Sequence, residues 1–309
     1  MTVAHSESVS TNPSGSRWSG HGRCWLQAGA LTKPRLALLS TLTGMVGFAA
    51  APESFRVGYF LLFSTGTFLC AASAMSLNQW MEYRSDALMR RTAHRPIPSG
   101  GVIPRDVLGF GVLLGLMGVI LLAVFSGLMV GLLGALTIVL YVGVYTPLKR
   151  RTPWCTQVGT LPGALPPVMG WWAASGGMAW GGWLLFLIMV AWQMPHFNAV
   201  SWMCREDYRR AGLRMRSVTD PTGQWVKVES LCFAVAAAFL GLLPFLLTPS
   251  GWTLGWWYAG GALAGNAYFL ITAWRFAFDA SGKSASLLFR ASLVYLPLVF
   301  GSLILDLRL

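Results

Sequence analysis

Asn78, Glu82 and Asp86 follow one another at intervals of four. In a helix that interval keeps all three on one stripe, drifting ~40° per step with ~6 Å of rise between neighbours. Two carboxylates and an amide oxygen so placed form a ledge for Mg²⁺, which prefers oxygen ligands and usually shares them with substrate phosphates. Arg90, Arg91 and Arg95 come next, and guanidinium groups bind phosphate through paired hydrogen bonds. A carboxylate row beside an arginine row is what a metal–diphosphate substrate requires. The same spacing also suits a plain helix end whose acids pair with nearby arginines, and spacing alone leaves both readings open.

Two further polar clusters interrupt apolar sequence. Gln193, His196 and Asn198 surround Pro195, and Arg205-Glu206-Asp207-Tyr208 follows. Proline removes a backbone donor, a weakness tolerated where a membrane helix lines a cavity. A single histidine there serves as a packed, hydrogen-bonded residue or as a ligand, and its position does not choose between them. The third cluster, Tyr145-Thr146-Pro147-Leu148-Lys149-Arg150-Arg151, reads by itself as a basic anchor whose stems lie in lipid and whose charges reach water. The five cysteines are scattered without paired spacing, so neither a disulfide framework nor a zinc site is expected.

The elements that must position these groups are set by composition. Apolar residues make up 55% of the 309 and charged residues 11%, against roughly 25% charged in an ordinary globular chain. So few charges cannot cover a soluble surface, and so many aromatic residues exclude disorder. The net charge of +12 sits in clusters between apolar runs, and no nucleic-acid partner is expected. Charge-free runs of 42, 53 and 45 residues separate Asp106 from Lys149, Arg151 from Arg205 and Glu229 from Arg275. A spanning helix needs ~20 residues, so each run predicts two spans, joined at Ser126-Gly127, Ser175-Gly176-Gly177 and Thr248-Pro249-Ser250-Gly251. Single spans over about Leu36–Ala51, Val57–Met81 and Leu287–Leu305 bring the expectation to nine. Of the 23 Lys and Arg, 21 fall on one side of this arrangement, leaving Arg56 and Arg308 on the other. The positive-inside rule then places the N-terminus inside and the C-terminus outside. Residues 1–34 read as a polar, flexible tail without a secretory signal, and 35–309 as the helical domain. A multi-span transporter would also have this outline, but transporters usually keep ionisable residues near the midplane, and here they crowd one interface.

The segment from Asn78 to Pro96 resembles the first acidic motif, N-x-x-x-E-x-x-x-D-x-x-M-x-R-T-x-x-R-P, of the haem farnesyltransferases, a branch of the UbiA-type intramembrane prenyltransferases. Tyr145–Arg150, Pro166–Trp171, Trp192–Phe197, Asp207-Tyr208 with Ala211-Gly212, and Tyr295-Leu296-Pro297 are similar to family segments in family order. Many bacterial members have I-P-M-L-P-V where this chain has Leu213-Arg214-Met215-Arg216-Ser217-Val218, a stretch closer to the mitochondrial branch. Glu82 stands where relatives acting on quinone precursors usually carry Asp, which favours haem as acceptor over an aromatic ring.

The resemblance implies an all-α membrane protein, a nine-helix UbiA-type bundle that moves farnesyl from farnesyl diphosphate to a vinyl group of haem b to give haem O for haem–copper oxidases. It implies Mg²⁺ on Asn78, Glu82, Asp86 and Asp207, diphosphate contacts from Arg90, Arg91, Arg95, Lys149 and Arg205, and substrate contacts from Tyr145, Gln193, Asn198 and Tyr208. His196 joins the catalytic set as a ligand of the haem iron or a proton carrier. Haem b and farnesyl diphosphate are the expected partners within the bilayer, with hand-over to haem A synthase. A bacterial cytoplasmic membrane is the expected location, with the mitochondrial inner membrane as the alternative.

Overall fold

Inside a bilayer no water pairs with backbone amides, so a charge-free chain must satisfy its own hydrogen bonds, and a helix does this within one segment. The computed structural model describes residues 21–248 and 251–308, and among them there is no strand. The chain runs through α1 (His21–Thr32), α2 (Pro34–Ala50), α3 (Val57–Asp86), α4 (Pro104–Ser126) and α5 (Leu128–Ile138). A π-helical stretch, Val139–Tyr145, carries α5 into α6 (Thr146–Leu148). Then come α7 (Cys155–Ser175), α8 (Trp180–Met203), the short α9 (Arg205–Arg210) and α10 (Arg216–Thr219), α11 (Gln224–Leu247), α12 (Trp256–Phe278) and α13 (Gly282–Arg308).

The expected breaks fall where left-handed or extended backbone ends a helix. Gly127 (φ 99°) separates α4 from α5, and Gly176 (φ 70°) closes α7. Thr248 (φ 41°) closes α11; Pro249 and Ser250 of that expected turn lie outside the described residues. By length and composition six segments can cross a membrane: Val57–Asp86, Pro104–Ser126, Leu128–Leu148, Trp180–Met203, Gln224–Leu247 and Gly282–Arg308. Pro34–Ala50 is apolar but shorter. The helices α7, with three internal prolines, and α12, rich in glycine and tryptophan, stand outside that set. The outward faces are apolar: Leu113, Leu116, Ile120 and Val124 of α4 are all exposed, as a lipid-facing surface requires.

The expected tail differs from what is observed. Residues 21–32 form a helix, and Gln79 of α3 donates to the carbonyls of Ala30 and Leu31 at 3.0 and 2.7 Å. Residues 1–20 lie outside the described part. Leu31 is buried, so the segment is held by an apolar anchor together with a buried amide, a combination that polarity alone does not announce.

Close helix approach explains much of the small-residue content. Glycines on α2 and α7 let these helices touch backbone to backbone: a Cβ on Gly47 would run into the Pro167 carbonyl, and one on Gly170 into the Gly44 carbonyl. Small residues in such positions allow the dispersion contacts that drive helix association in lipid. On the other side of the molecule, Tyr258, Asn266 and Tyr295 donate to the α11 carbonyls of Gly241, Ala238 and Ala237 at 2.6, 3.0 and 2.7 Å. The family-like Tyr295-Leu296-Pro297 segment therefore begins with a bundle latch, and Tyr295 is not among the residues that line the cavity beside the acidic motif.

At the end of the bundle opposite the acidic motif, Asp306 accepts from the backbone amides of Gly255 and Tyr258, both at 2.8 Å. It caps the start of α12 from the last turns of the neighbouring α13. Asp306→Ala is expected to cost about 1 kcal/mol, the usual worth of an N-terminal cap, and to lower the thermal midpoint of the detergent-solubilised protein. An unchanged midpoint would show that the cap carries no stability.

Candidate active site

The acidic stripe lies on the last turns of α3, where the helix leaves its apolar run. Asn78 and Asp86 are buried, and with Glu82 they form one wall of a cavity of about 110 Å³. Arg91 and Arg95, from the turns after α3, form a second wall, and Tyr145, Lys149 and Tyr208 face them. Met89, Leu213 and Met215 add apolar lining, packed in a cluster with Cys155 and Ala211. The backbone amide of Arg214 donates to the Lys149 carbonyl at 2.7 Å. The segment that departs from the common bacterial pattern is thereby pinned into the lining.

The two readings of the acidic stripe meet here. Asp86 is ion-paired with Arg95 at 2.6 Å, and Glu82 with Lys149 at 2.9 Å. Asn78 donates to Glu82 at 2.9 Å and to the Thr146 hydroxyl at 3.1 Å. Carboxylates this buried need such partners, since desolvation of a lone ion costs several kcal/mol. Burial alone would lower the Lys149 pKa, but Glu82 overrides it and holds the ammonium above its ordinary range. One acceptor remains unused: Asp86 Oδ1 is buried in the cavity wall without a hydrogen-bond partner. That orphaned anionic oxygen, with Glu82 and Asn78 one and two helical turns away, is a donor set that fits Mg²⁺ when completed by phosphate oxygens.

The implied four-residue metal set is not assembled as a cage. Among the described residues no three His, Cys, Asp or Glu side chains converge on one point. Asp207 instead accepts the Arg90 backbone amide at 3.4 Å and lies 3.6 Å from the Arg210 guanidinium. It braces the turn that carries Arg91. The Arg90 side chain is exposed. Arg205 stacks on Trp202 at 4.5 Å and donates to its carbonyl at 3.0 Å, outside the cavity lining.

The Pro195 cluster also lies elsewhere. Gln193 is buried and donates to the carbonyls of Thr160 and Met189 at 3.1 and 3.0 Å. Asn198 donates to Glu229 on α11 at 3.0 Å, and Gln157 reaches the other oxygen of that carboxylate. His196 faces α13, its Nδ1 2.8 Å from the Ser292 hydroxyl. None of the three lines the cavity beside Asp86.

Two lining residues escaped the sequence reading. Lys33, which counted there only as an inside charge, sits between α1 and α2 with φ 45°. Non-glycine residues take this conformation at a cost of order 1–3 kcal/mol, and the elbow turns the lysine into the cavity with Glu82 and Asp86. Withdrawal from water, then the nearby Arg95 and Lys149 charges, lowers its pKa to about 7. The signal available was a lysine directly before Pro34, which starts a helix. Tyr141 enters through the π-helical stretch, where the Thr146 amide and hydroxyl both bond to its carbonyl. Such insertions frequently mark functional sites. Tyr141 and Tyr145 lie with ring centroids 5.4 Å apart, and Lys149 is 4.6 Å from the Tyr145 ring.

Residues 37–294 match the UbiA prenyltransferase family. The chain belongs to that family. It is 40% identical over 286 residues to the protoheme IX farnesyltransferase of Solibacter usitatus (strain Ellin6076), which covers 89% of this chain and 97% of that protein. It is 41% identical over 269 residues to the mitochondrial protoheme IX farnesyltransferase of Homo sapiens, covering 87% of this chain and 59% of that one. The UbiA fold is shared with a digeranylgeranylglyceryl phosphate synthase structure (TM-score 0.76, 15% identity, 92% of this chain and 98% of that chain). It is shared too with a UbiA homologue from Archaeoglobus fulgidus bound to GPP and Mg²⁺ (TM-score 0.61, 13% identity, 90% and 99%). As a UbiA prenyltransferase with several apolar spanning helices, it is an integral membrane protein.

Lys33 gives a pH signature. An anion in the cavity favours the ammonium form, so binding takes up a proton once the free lysine has lost its own, above a pH of about 7. Inorganic pyrophosphate affinity is expected to fall from about pH 6 to about pH 9, by up to about tenfold per unit beyond the change from pyrophosphate's own ionisation. Lys33→Arg, always charged, should flatten that excess. Equal slopes in calorimetric titrations of both proteins would exclude Lys33 from the anion site.

Proposed function

We propose that this protein transfers the farnesyl group of farnesyl diphosphate to a vinyl group of haem b, forming haem O and releasing diphosphate. Four basic side chains, Lys33, Arg91, Arg95 and Lys149, share the cavity with two carboxylates, and this excess of basic over acidic groups carries the diphosphate reading. Relatives named for haem farnesylation along nearly their whole length support haem as the acceptor.

In the reaction the bond between the allylic carbon and the diphosphate oxygen breaks. The vinyl group supplies the electron pair for a new carbon–carbon bond, and water adds a hydroxyl to the remaining cationic carbon and loses a proton. Arg91, Arg95, Lys33 and Lys149 donate hydrogen bonds that strengthen as charge builds on the leaving oxygens. Asn78, Glu82 and Asp86 would hold Mg²⁺, which supplies Lewis-acid neutralisation of the departing diphosphate. The solved homologue with GPP and Mg²⁺ supports that role for the fold. The paired rings of Tyr141 and Tyr145 offer π faces to an allylic cation, an attraction that strengthens away from water. The farnesyl chain lies among apolar helices, where burial contributes ~0.8 kcal/mol per CH₂.

With α2, α7 and α12 counted as crossings the proposed total is nine, and by the positive-inside rule the cavity would lie at the basic, inner side with the C-terminus outside. A bacterial cytoplasmic membrane is the proposed location, and its product would pass to the enzyme that oxidises haem O further.

Purified protein given labelled farnesyl diphosphate with haem b or 4-hydroxybenzoate is expected to label the haem. Label on the benzoate alone would refute the proposed acceptor. Asp86→Ala should insert normally and lose about 10²–10³ in turnover, the scale for removing preorganised charge stabilisation. Near-normal turnover would remove the Asp86 ledge from the chemistry.

A further inference from the structure

Helices α8 and α13 meet through a polar contact outside the diphosphate cavity. Ser292 of α13 is wholly buried. Its backbone carbonyl accepts from Trp192 Nε1 at 2.7 Å. Its hydroxyl lies 2.6 Å from the Phe289 carbonyl oxygen and 2.8 Å from His196 Nδ1. One residue thus touches two rings that are themselves stacked, Trp192 and His196, with centroids 5.0 Å apart and planes at 27°. Phe289 and Phe197 enclose the imidazole further, at 5.1 and 5.6 Å.

Proton counting fixes the state of the histidine. Two oxygens at 2.6 Å repel unless a proton lies between them, and a backbone carbonyl has none to give. The Ser292 proton is therefore directed at Phe289. A hydroxyl carries one proton and two lone pairs, so it offers His196 only a lone pair, and Nδ1 must be the donor. A neutral imidazole protonated at Nδ1 has its free electron pair on Nε2. His196 is half-buried, and its Nε2 makes no hydrogen bond among the described residues. An imidazole with one nitrogen free and the other donating to a fixed oxygen is the usual arrangement of a metal-ligating histidine.

We propose that Ser292 is a positioning residue that holds His196 with its proton on Nδ1 and presents Nε2 to the iron of the haem acceptor. This rests on haem being the acceptor, as proposed above. Trp192, tied to the Ser292 carbonyl, keeps the imidazole plane from turning. Ligation through Nε2 would set the height of the porphyrin relative to α8, and with it the place of the vinyl group. Sequence position could not supply this assignment, since His196 and Ser292 are 96 residues apart.

The tautomer is testable in the full chain without any substitution at Ser292. Histidine labelled with ¹⁵N in the detergent-solubilised protein should show His196 protonated at Nδ1, its signals being those lost in His196→Gln. Protonation at Nε2 instead would overturn the proposal. Ferrous haem b added to the same protein should give an iron–histidine stretching band that His196→Gln abolishes. In Ser292→Ala the band should move to lower frequency, and haem affinity should fall about tenfold, the lower end for loss of a ligand's supporting hydrogen bond. Ser292→Thr, which keeps the hydroxyl, should restore both. A band that survives in His196→Gln, or one unmoved in Ser292→Ala, overturns the assignment. Farnesylation of haem b is followed in parallel. Transfer without the histidine band refutes this inference alone, whereas the band without transfer supports it and refutes the proposed reaction.

Discussion

Charge buried at the edge of a membrane must be answered by opposite charge, and in this protein Glu82 with Lys149 and Asp86 with Arg95 meet that constraint. Each pair joins segments distant in the chain or separated by a turn, so the ion pairs bind the end of α3 to the residue after α6 and to the loop before α4. A carboxylate left alone there would be neutralised or would expel its helix end from the apolar bundle. The pairs also leave their cations in the cavity lining: Arg95 and Lys149, which neutralise the carboxylates, are the groups an anionic substrate would engage. Asp86 Oδ1, buried and unpartnered, is where the pairing stops short.

The surrounding scaffold serves to keep this cluster small and half-dry. The left-handed elbow at Lys33 returns α1 across α3, and the buried Gln79 amide ties it down. The π-helical insertion turns Tyr141 and Tyr145 toward the ions. The loop from Leu213 to Met215, pinned through the Lys149 carbonyl, closes the apolar side. Strain at Lys33 and a distorted helix at Tyr141 are local departures from the best backbone, and both sit in the cavity wall. Departures from local preference concentrate in this way where chemistry is done.

The polar residues around Pro195 act separately. Gln193, His196 and Asn198 leave α8 in different directions, toward α7, α13 and α11. The buried polarity thus includes a cavity lined by charged side chains on the α3 side and a histidine hydrogen-bonded to Ser292 on the α13 side. A reaction between a diphosphate and a flat macrocycle needs two such places.

Much of this was legible in the sequence because it follows from periodicity and from the cost of charge in lipid. The helical class, the turns at Gly127 and Gly176, the stripe of Asn78, Glu82 and Asp86, and the adjoining arginines all follow from spacing within single segments. Lys149 and Tyr208 entered through the ordered family-like segments, and the fold gathers both into the cavity. Only the tertiary structure decided which carboxylate meets which cation, that Lys33 and Tyr141 line the cavity, that Arg205 and Asp207 lie outside its lining, and that residues 21–32 are a docked helix. Those outcomes depend on contacts between residues tens of positions apart. A one-dimensional pattern records which face a side chain occupies, and the partner opposite that face is fixed only when the helices pack.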